Sequence, residues 1–295
     1  MNKSILLRET LANNKIIRLA GAHNGLSARL AQMAGFDAIW ASGFEIASSY
    51  CVPDANILSM SECLQIADMI NKTVDIPVIA DCDSGFGDIN NVIHLVKSYE
   101  DRGIAAICIE DKHFPKINSF VNSGQNLVSI EDFSAKLIAA NAAKKNDSFM
   151  IIARIEALIA GAGMDEALKR AVAYEKSGAD ALLIHSKQQK PDEIFNFMRL
   201  YKGSLPVFIV PTTYYGTKVT DFIDATIKGV IYANQGIRAS VTAVKKTFKN
   251  IITQETTAFI EADIATVGEL FDLQGMDLHN ANYETYAAKA IKITE

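Results

Sequence analysis

"SYEDRGIAAICIED", residues 98–111, decides the fold. Its first half reads as the end of a helix and closes on Gly103, a residue free to take the left-handed backbone that terminates one. Its second half, Ile104 to Ile109, is a short and continuously apolar run, as expected of a parallel strand covered on both faces. The same succession of helix, glycine and buried strand recurs in "AQMAGFDAIWASG" (31–43), "YEKSGADALLIHS" (174–186) and "TIKGVIYAN" (226–234). Further strands are expected in "KIIRLAGA" (15–22), "IPVIADCD" (76–83), "FMIIARIEA" (149–157) and "LPVFIVPT" (205–212), with helical patterns between them. Eight alternating units in roughly 250 residues predict a (β/α)8 TIM-type barrel over residues 1–255. A doubly wound open sheet is the alternative, but no Gly-rich fingerprint follows the first strand. After residue 255 the pattern stops. "VGELFDLQGMDLHNANYETYAAKAIK" predicts one or two extra helices in a C-terminal extension, 256–295, packing on the barrel or on a neighbouring subunit.

Of the 295 residues, 49% are hydrophobic, enough for one large globular core. The formal charge is -5 and no long basic block occurs, which argues against a nucleic-acid partner. No apolar run approaches the length of a membrane span. The start, "MNKSILLRETLANN", lacks the apolar core of a signal peptide, so a cytoplasmic protein is expected. Cys51, Cys63, Cys82 and Cys108 have neither metal-site spacing nor a disulfide framework and read as reduced thiols.

In a barrel of this kind the C-terminal ends of the strands carry the chemistry. Here those ends are polar: His23 and Asn24; Trp40, Ser42 and Gly43; Asp81 and Asp83; Glu110, Asp111 and Lys112; Arg154 and Glu156; His185 and Ser186; Thr212 and Thr213; Asn234. Asp81 and Asp83 alternate about Cys82, and period two would aim both carboxylates at one mouth. Two like charges facing one space are costly unless a cation neutralises them. Glu110 on the adjacent strand offers a third oxygen ligand, and a carboxylate set without His or Cys suits Mg²⁺ or Mn²⁺ better than zinc. Salt bridging to lysine or arginine is the bland alternative. Arg154 suits a phosphate or carboxylate, or else bridges Glu156. His185 at a strand end and Trp40, the sole tryptophan, could equally be packing residues.

Together "GFDAIWASG", "DCDSGFGD", "EDKHFPKINS", "IIARIEALIAGAGMDEALKRAVAYEKSGADALLIHS" and "VPTTYY" resemble the isocitrate lyase/phosphoenolpyruvate mutase superfamily, over about residues 15–250 and most nearly its phosphoenolpyruvate mutase branch. The resemblance implies a (β/α)8 barrel whose last helix is swapped between subunits of a homodimer or homotetramer. It also implies bound Mg²⁺ and the interconversion of phosphoenolpyruvate and phosphonopyruvate. By the same resemblance Asp81 would hold the ion directly, and Asp83 and Glu110 largely through water. Trp40, Ser42, Gly43 and Phe44 would line the substrate pocket, with backbone N–H groups of 43 and 44 on substrate oxygens. Asp54 would face the reacting phosphoryl group, as nucleophile or as orienting group. Arg154 and His185 would contact the anionic groups. Lys116, Asn118 and Ser119 would belong to a mobile lid, with Lys116 and Asn118 catalytic. Phe44 and Cys82 depart modestly from the pattern, and the loop "FVNSGQN" (120–126) is less familiar.

The superfamily's lyases carry a lid cysteine, absent from "PKINSF" here. The sister phosphonopyruvate hydrolases keep nearly the whole site, with a lid resembling "K-T-T-S" and Thr where this chain has Asn118. Mutase is therefore the expected activity, hydrolase the runner-up, and oxaloacetate decarboxylation or a non-catalytic barrel more remote.

Overall fold

The computed structural model describes residues 2–121 and 124–294. Its barrel portion runs α1 (Lys3–Asn13), β1 (Ile17–Ala22), α2 (Gly25–Met33), β2 (Ala38–Ala41), α3 (Gly43–Ser49), α4 (Met60–Thr73), β3 (Val78–Asp81), α5 (Ile89–Asp101) and β4 (Ala106–Glu110). It continues with α6 (Ile130–Ala143), β5 (Met150–Ile155), α7 (Met164–Lys176), β6 (Ala181–Ile184), α8 (Asp192–Leu200), β7 (Val207–Ile209), α9 (Val219–Asp224), β8 (Gly229–Tyr232) and α10 (Gln235–Gln254). The strands pair in parallel, each with the next and β8 with β1, into a closed barrel. The expected (β/α)8 fold is the one observed. Gly103 has φ +70, the left-handed turn expected between the helix α5 and the strand β4.

Strand alternation sorts the core into two shells. Ile39, Val78, Ile107, Ile151 and Leu182 face outward and pack with the helices. Leu19, Trp40, Ile79, Cys108, Met150, Ile152, Leu183 and Phe208 fill the barrel interior. The N-terminal helix α1, which has no strong amphipathic pattern, inserts Leu7 and Leu11 into that interior cluster from the side where the strands begin. Arg8 fastens it there, donating to the Ser148 carbonyl at 2.8 Å and to Asp180 Oδ1 at 2.6 Å. Lys228 Nζ reaches back to the Asn14 carbonyl at 3.0 Å.

The chain divides into two compact units, one ending at Ile237 and the other beginning at Arg238. The second holds the remainder of α10, then α11 (Val267–Gln274) and α12 (Met276–Thr294). A Thr266–Glu269 capping box starts α11, and Gly275 at φ +71 ends it. On α10, Val241, Val244, Phe248 and Ile252 recur at helical spacing and are exposed on the single chain. No described helix is long and apolar enough to cross a membrane.

Candidate active site

The strand register explains why charges gather at one end. The residues filling the barrel share one parity, and that parity carried to the strand ends reaches Asp81, Glu110, Arg154 and His185. Asp81 pairs across from Cys108 and Glu110 from Arg154. Asp83 arrives differently. It lies beyond β3, at φ +49, so a left-handed turn and not strand alternation aims it at the same place.

One half of the site joins three loops. Lys116 Nζ sits 2.6 Å from Asp54 Oδ1 and 3.0 Å from Asp83 Oδ1. Asn118 Nδ2 donates to Asp54 Oδ2 at 2.6 Å. Asn56, itself at φ +56, accepts from the Lys116 backbone N–H at 2.6 Å and donates to Asp83 Oδ2 at 2.7 Å. The Gly43 N–H, at the start of α3, points at Asp81 Oδ2 from 3.3 Å. Burial alone would raise the Asp54 carboxyl, but Lys116 and the Asn118 amide outweigh it and hold it below its ordinary value. For Lys116 burial works against the charged form, yet Asp83 and Asp54 prevail and push its pKa up.

The other half centres on Glu156. Its carboxylate, fully buried, lies 2.5 Å from Arg154 Nε, 2.9 Å from His185 Nδ1 and 3.1 Å from Lys112 Nζ, and accepts from Ser119 Oγ at 2.6 Å. Burial opposes its charge, but Arg154, His185 and Lys112 dominate and keep it strongly acidic. Arg154 also approaches Glu110 Oε2 at 3.3 Å and donates from Nη2 to Ser119 Oγ at 3.0 Å. Burial depresses the His185 pKa, only partly offset by Glu156, so the imidazole favours its neutral form. The Phe120 ring meets it edge-on, centroids 5.9 Å apart.

The structure thus gathers Asp54, Asp83, Lys116 and Asn118 into one bonded group and Glu110, Ser119, Arg154 and His185 into another, with Asp81 meeting the Gly43 N–H at the end of β3. Trp40 lies beneath them, only 2% exposed within the barrel interior. Ser42 caps α3 through its Oγ, and Phe44 is exposed at 38%. Of the loop 120–126, Asn122 and Ser123 lie outside the described residues. Lys112 and Glu156 are expected from the sequence only as polar strand ends, with no role assigned, and Asn56 is not singled out there. The available signals were Glu156 two positions after Arg154, on the same strand face, and Asn56 two positions after Asp54 in "PDAN".

Burial raises the carboxyls of Asp81, Asp83 and Glu110, that of Asp83 to about 6, against the pull of Lys116 and Arg154. Among the described residues Glu110 Oε1 is buried without a hydrogen-bond partner, its nearest cation being Lys112 Nζ at 3.7 Å. A Cβ on Gly43 would stand 3.4 Å from Asp81 Oδ2 and 3.5 Å from Asp83 Oδ1, so glycine keeps the space before these carboxylates clear. An all-oxygen donor set with an orphaned carboxylate oxygen fits a hard divalent cation. Among the described residues no three His, Cys, Asp or Glu side chains close on one point. An ion that keeps part of its water, as Mg²⁺ does, needs only one or two carboxylates from the protein.

The loop above the site has a fixed base. Lys112 bridges Leu127 in antiparallel fashion, and the Val128 N–H donates to the Asp111 carbonyl at 3.0 Å. The Asp111 carboxylate, fully buried, accepts from Arg170 at 2.9 Å, Tyr174 at 2.8 Å and the Glu156 N–H at 2.9 Å. Removing the cation would leave that carboxylate buried and unpaired. Arg170→Met should accordingly lower stability by about 3–5 kcal/mol, read as a shifted midpoint in urea unfolding. A loss under about 1 kcal/mol would mean that the pair contributes no more than a surface bridge.

A closed (β/α)8 barrel with acid, lysine and arginine side chains gathered at its strand ends beneath a docked loop has the architecture of an enzyme. The phosphoenolpyruvate phosphomutase family matches residues 7–252, and the chain belongs to that family. It is 47% identical over 277 residues to phosphonopyruvate hydrolase of Variovorax sp. (strain Pal2), covering 93% of this chain and 96% of the relative. A crystal structure of phosphoenolpyruvate phosphomutase from Streptomyces platensis subsp. rosaceus superposes with TM-score 0.95 at 47% identity, over 96% of this chain and 99% of that one. A phosphonopyruvate hydrolase in complex with oxalate and Mg²⁺ superposes with TM-score 0.93 at 45% identity, over 97% and 100%.

Proposed function

We propose that the chain is a cytoplasmic, Mg²⁺-dependent phosphoenolpyruvate mutase that interconverts phosphoenolpyruvate and 3-phosphonopyruvate, the step that forms a C–P bond for phosphonate biosynthesis. The observation that carries this reading is the Asp54 carboxylate gripped by two lid donors, Lys116 Nζ and Asn118 Nδ2, each at 2.6 Å. From phosphonopyruvate the C–P bond breaks, carbon keeps the electron pair as the enolate, and the phosphoryl group passes to the enolate oxygen. No atom is gained or lost, so the protein's task is to position groups and keep water away.

Asp54 faces the phosphoryl group. Lys116 and Asn118 offer donors to its oxygens, and the docked lid excludes water that would otherwise capture it. Arg154 and His185 hold the anionic groups of the substrate, and the N–H groups of Gly43 and Phe44 meet its oxygens beside Ser42, above the floor set by Trp40. Asp81 would hold Mg²⁺, or Mn²⁺, directly, with Asp83 and Glu110 through water. Once bound, the ion supplies Lewis-acid polarisation of the enolate oxygen. The complex of a relative with oxalate and Mg²⁺ supports that choice of ion. The apolar stripe on α10 supports a homodimer or homotetramer in which this helix is exchanged.

Phosphonopyruvate hydrolase is the second reading, favoured by the 47% identity to the Variovorax enzyme. Phosphorus NMR of phosphonopyruvate incubated with the protein and Mg²⁺ separates the two. An enol phosphate signal is expected. Free phosphate would replace the mutase reading with the hydrolase, and an unchanged spectrum would overturn both.

A further inference from the structure

The turn after β3, which carries Asp83, is unusually constrained. Left-handed backbone occurs at Asp83 (φ +49), Gly85 (φ +89), Phe86 (φ +57) and Gly87 (φ +146), two of them residues with side chains that resist it. A Cβ on Gly85 would strike Val92 Cγ2 at 2.5 Å, so the turn is also tightly packed. Such a conformation persists only where its surroundings impose it. On one side the Glu110 N–H donates to the Asp83 carbonyl at 2.7 Å, and the Gly85 N–H closes onto the Cys82 carbonyl at 2.9 Å.

The other restraint comes from helix α6. Lys136 is 8% exposed, and its Nζ donates to the Ser84 carbonyl at 2.9 Å. Among the described residues this is its hydrogen bond, and it forms no ion pair. Burial depresses its pKa, with Asp88 and Asp132 offsetting only part of the effect. An apolar side chain would fill the same volume without the cost of burying an ammonium group. What the lysine adds is one charge-assisted bond to one carbonyl, on the residue after Asp83.

We propose that Lys136 is a positioning residue for the cation site: by fixing the Ser84 carbonyl it sets the turn that aims Asp83 beside Asp81. The proposal rests on the reading that Asp81, Asp83 and Glu110 hold a divalent ion. Residues behind the ligands of a metal commonly change its affinity ten- to a hundredfold, and Lys136 acts from that distance.

The test is Mn²⁺ titration by calorimetry, without substrate, on the full-length wild type, K136M and K136R. K136M keeps the length and apolar stem and removes the charge. Its Mn²⁺ affinity should fall about ten- to a hundredfold while its melting temperature stays close to that of the wild type, and K136R should recover most of the loss. Should K136M fail to fold, K136Q, with a donor on a shorter stem, serves in its place, with weakened Mn²⁺ binding expected again. Wild-type Mn²⁺ affinity in the folded neutral variant overturns the positioning role and leaves the metal reading standing. A wild-type protein that binds no Mn²⁺ overturns both.

Discussion

Asp81→Ala is expected to abolish turnover of phosphonopyruvate, together with any dependence of the residual rate on Mg²⁺, while the barrel stays folded. A bound ion polarising the reacting oxygen is worth several kcal/mol at the transition state, and each 1.4 kcal/mol is about a factor of ten in rate. A fall of at least about a thousandfold follows. The fold should not suffer. Burial and the nearby Glu110 and Asp54 charges already disfavour the ionised Asp81, although Arg154 and Lys116 favour it. Removing a buried carboxylate that lies among its own kind relieves repulsion, so the melting temperature measured without divalent ions should hold or rise. The decisive measurement is rate against Mg²⁺ concentration beside thermal unfolding. A variant with near-normal rate at limiting Mg²⁺ would remove Asp81 from the metal site.

Asn118→Ala should lower the mutase rate about a hundredfold, the cost of losing a transition-state hydrogen bond of roughly 3 kcal/mol. It should also let water compete, so that pyruvate and free phosphate appear. Asn118→Thr should leak in the same way, because a hydroxyl cannot present the amide N–H that now reaches Asp54 at 2.6 Å. Asn118 has a second task, since its Oδ1 accepts from the Phe120 N–H at 3.0 Å and shapes the lid turn. Asn118→Asp separates the two tasks. It keeps that acceptor but sets a like charge against Asp54. If the amide guides the phosphoryl group, Asp should fail as badly as Ala; if only the turn matters, Asp should be nearly normal. The ratio of enol phosphate to free phosphate reads each case. A full mutase rate without hydrolysis in Asn118→Ala would make the residue a bystander and remove the ground for preferring mutase over hydrolase.

The barrel was legible because its strands are buried on both faces. Ile104 to Ile109 has no polar residue to blur the pattern, and Gly103, Gly35 and Gly178 mark helix ends by a conformation few other residues accept. The charged strand ends were legible for the converse reason, since an apolar run that stops in Glu110 must deliver that carboxylate somewhere. What resisted reading was whatever depends on distant chain segments meeting. Glu156 could be seen beside Arg154, but not as the acceptor for Lys112, Ser119 and His185 as well. Nothing in the sequence around Lys136 signals that the fold will set its ammonium group against the Ser84 carbonyl. The plug helix α1 was hidden because Leu7 and Leu11 alone make too faint a stripe. Asp83 reached its expected place by a turn that no alternation rule describes.

The plug formed by α1 has a consequence for the traffic of molecules. With Leu7 and Leu11 stopping one end and the interior filled by side chains such as Trp40, Ile79 and Phe208, the barrel is a blind alley. On the proposed reading, substrate and product would both pass residues 113–121, whose Lys116 and Asn118 contact Asp54. A shared doorway would leave no place for fresh substrate to wait behind a departing product. If residues 113–121 close over the substrate as proposed, the segment that keeps water out would also keep the product in, and the interval for which it stays shut would govern both the safety of the reaction and the pace of the queue.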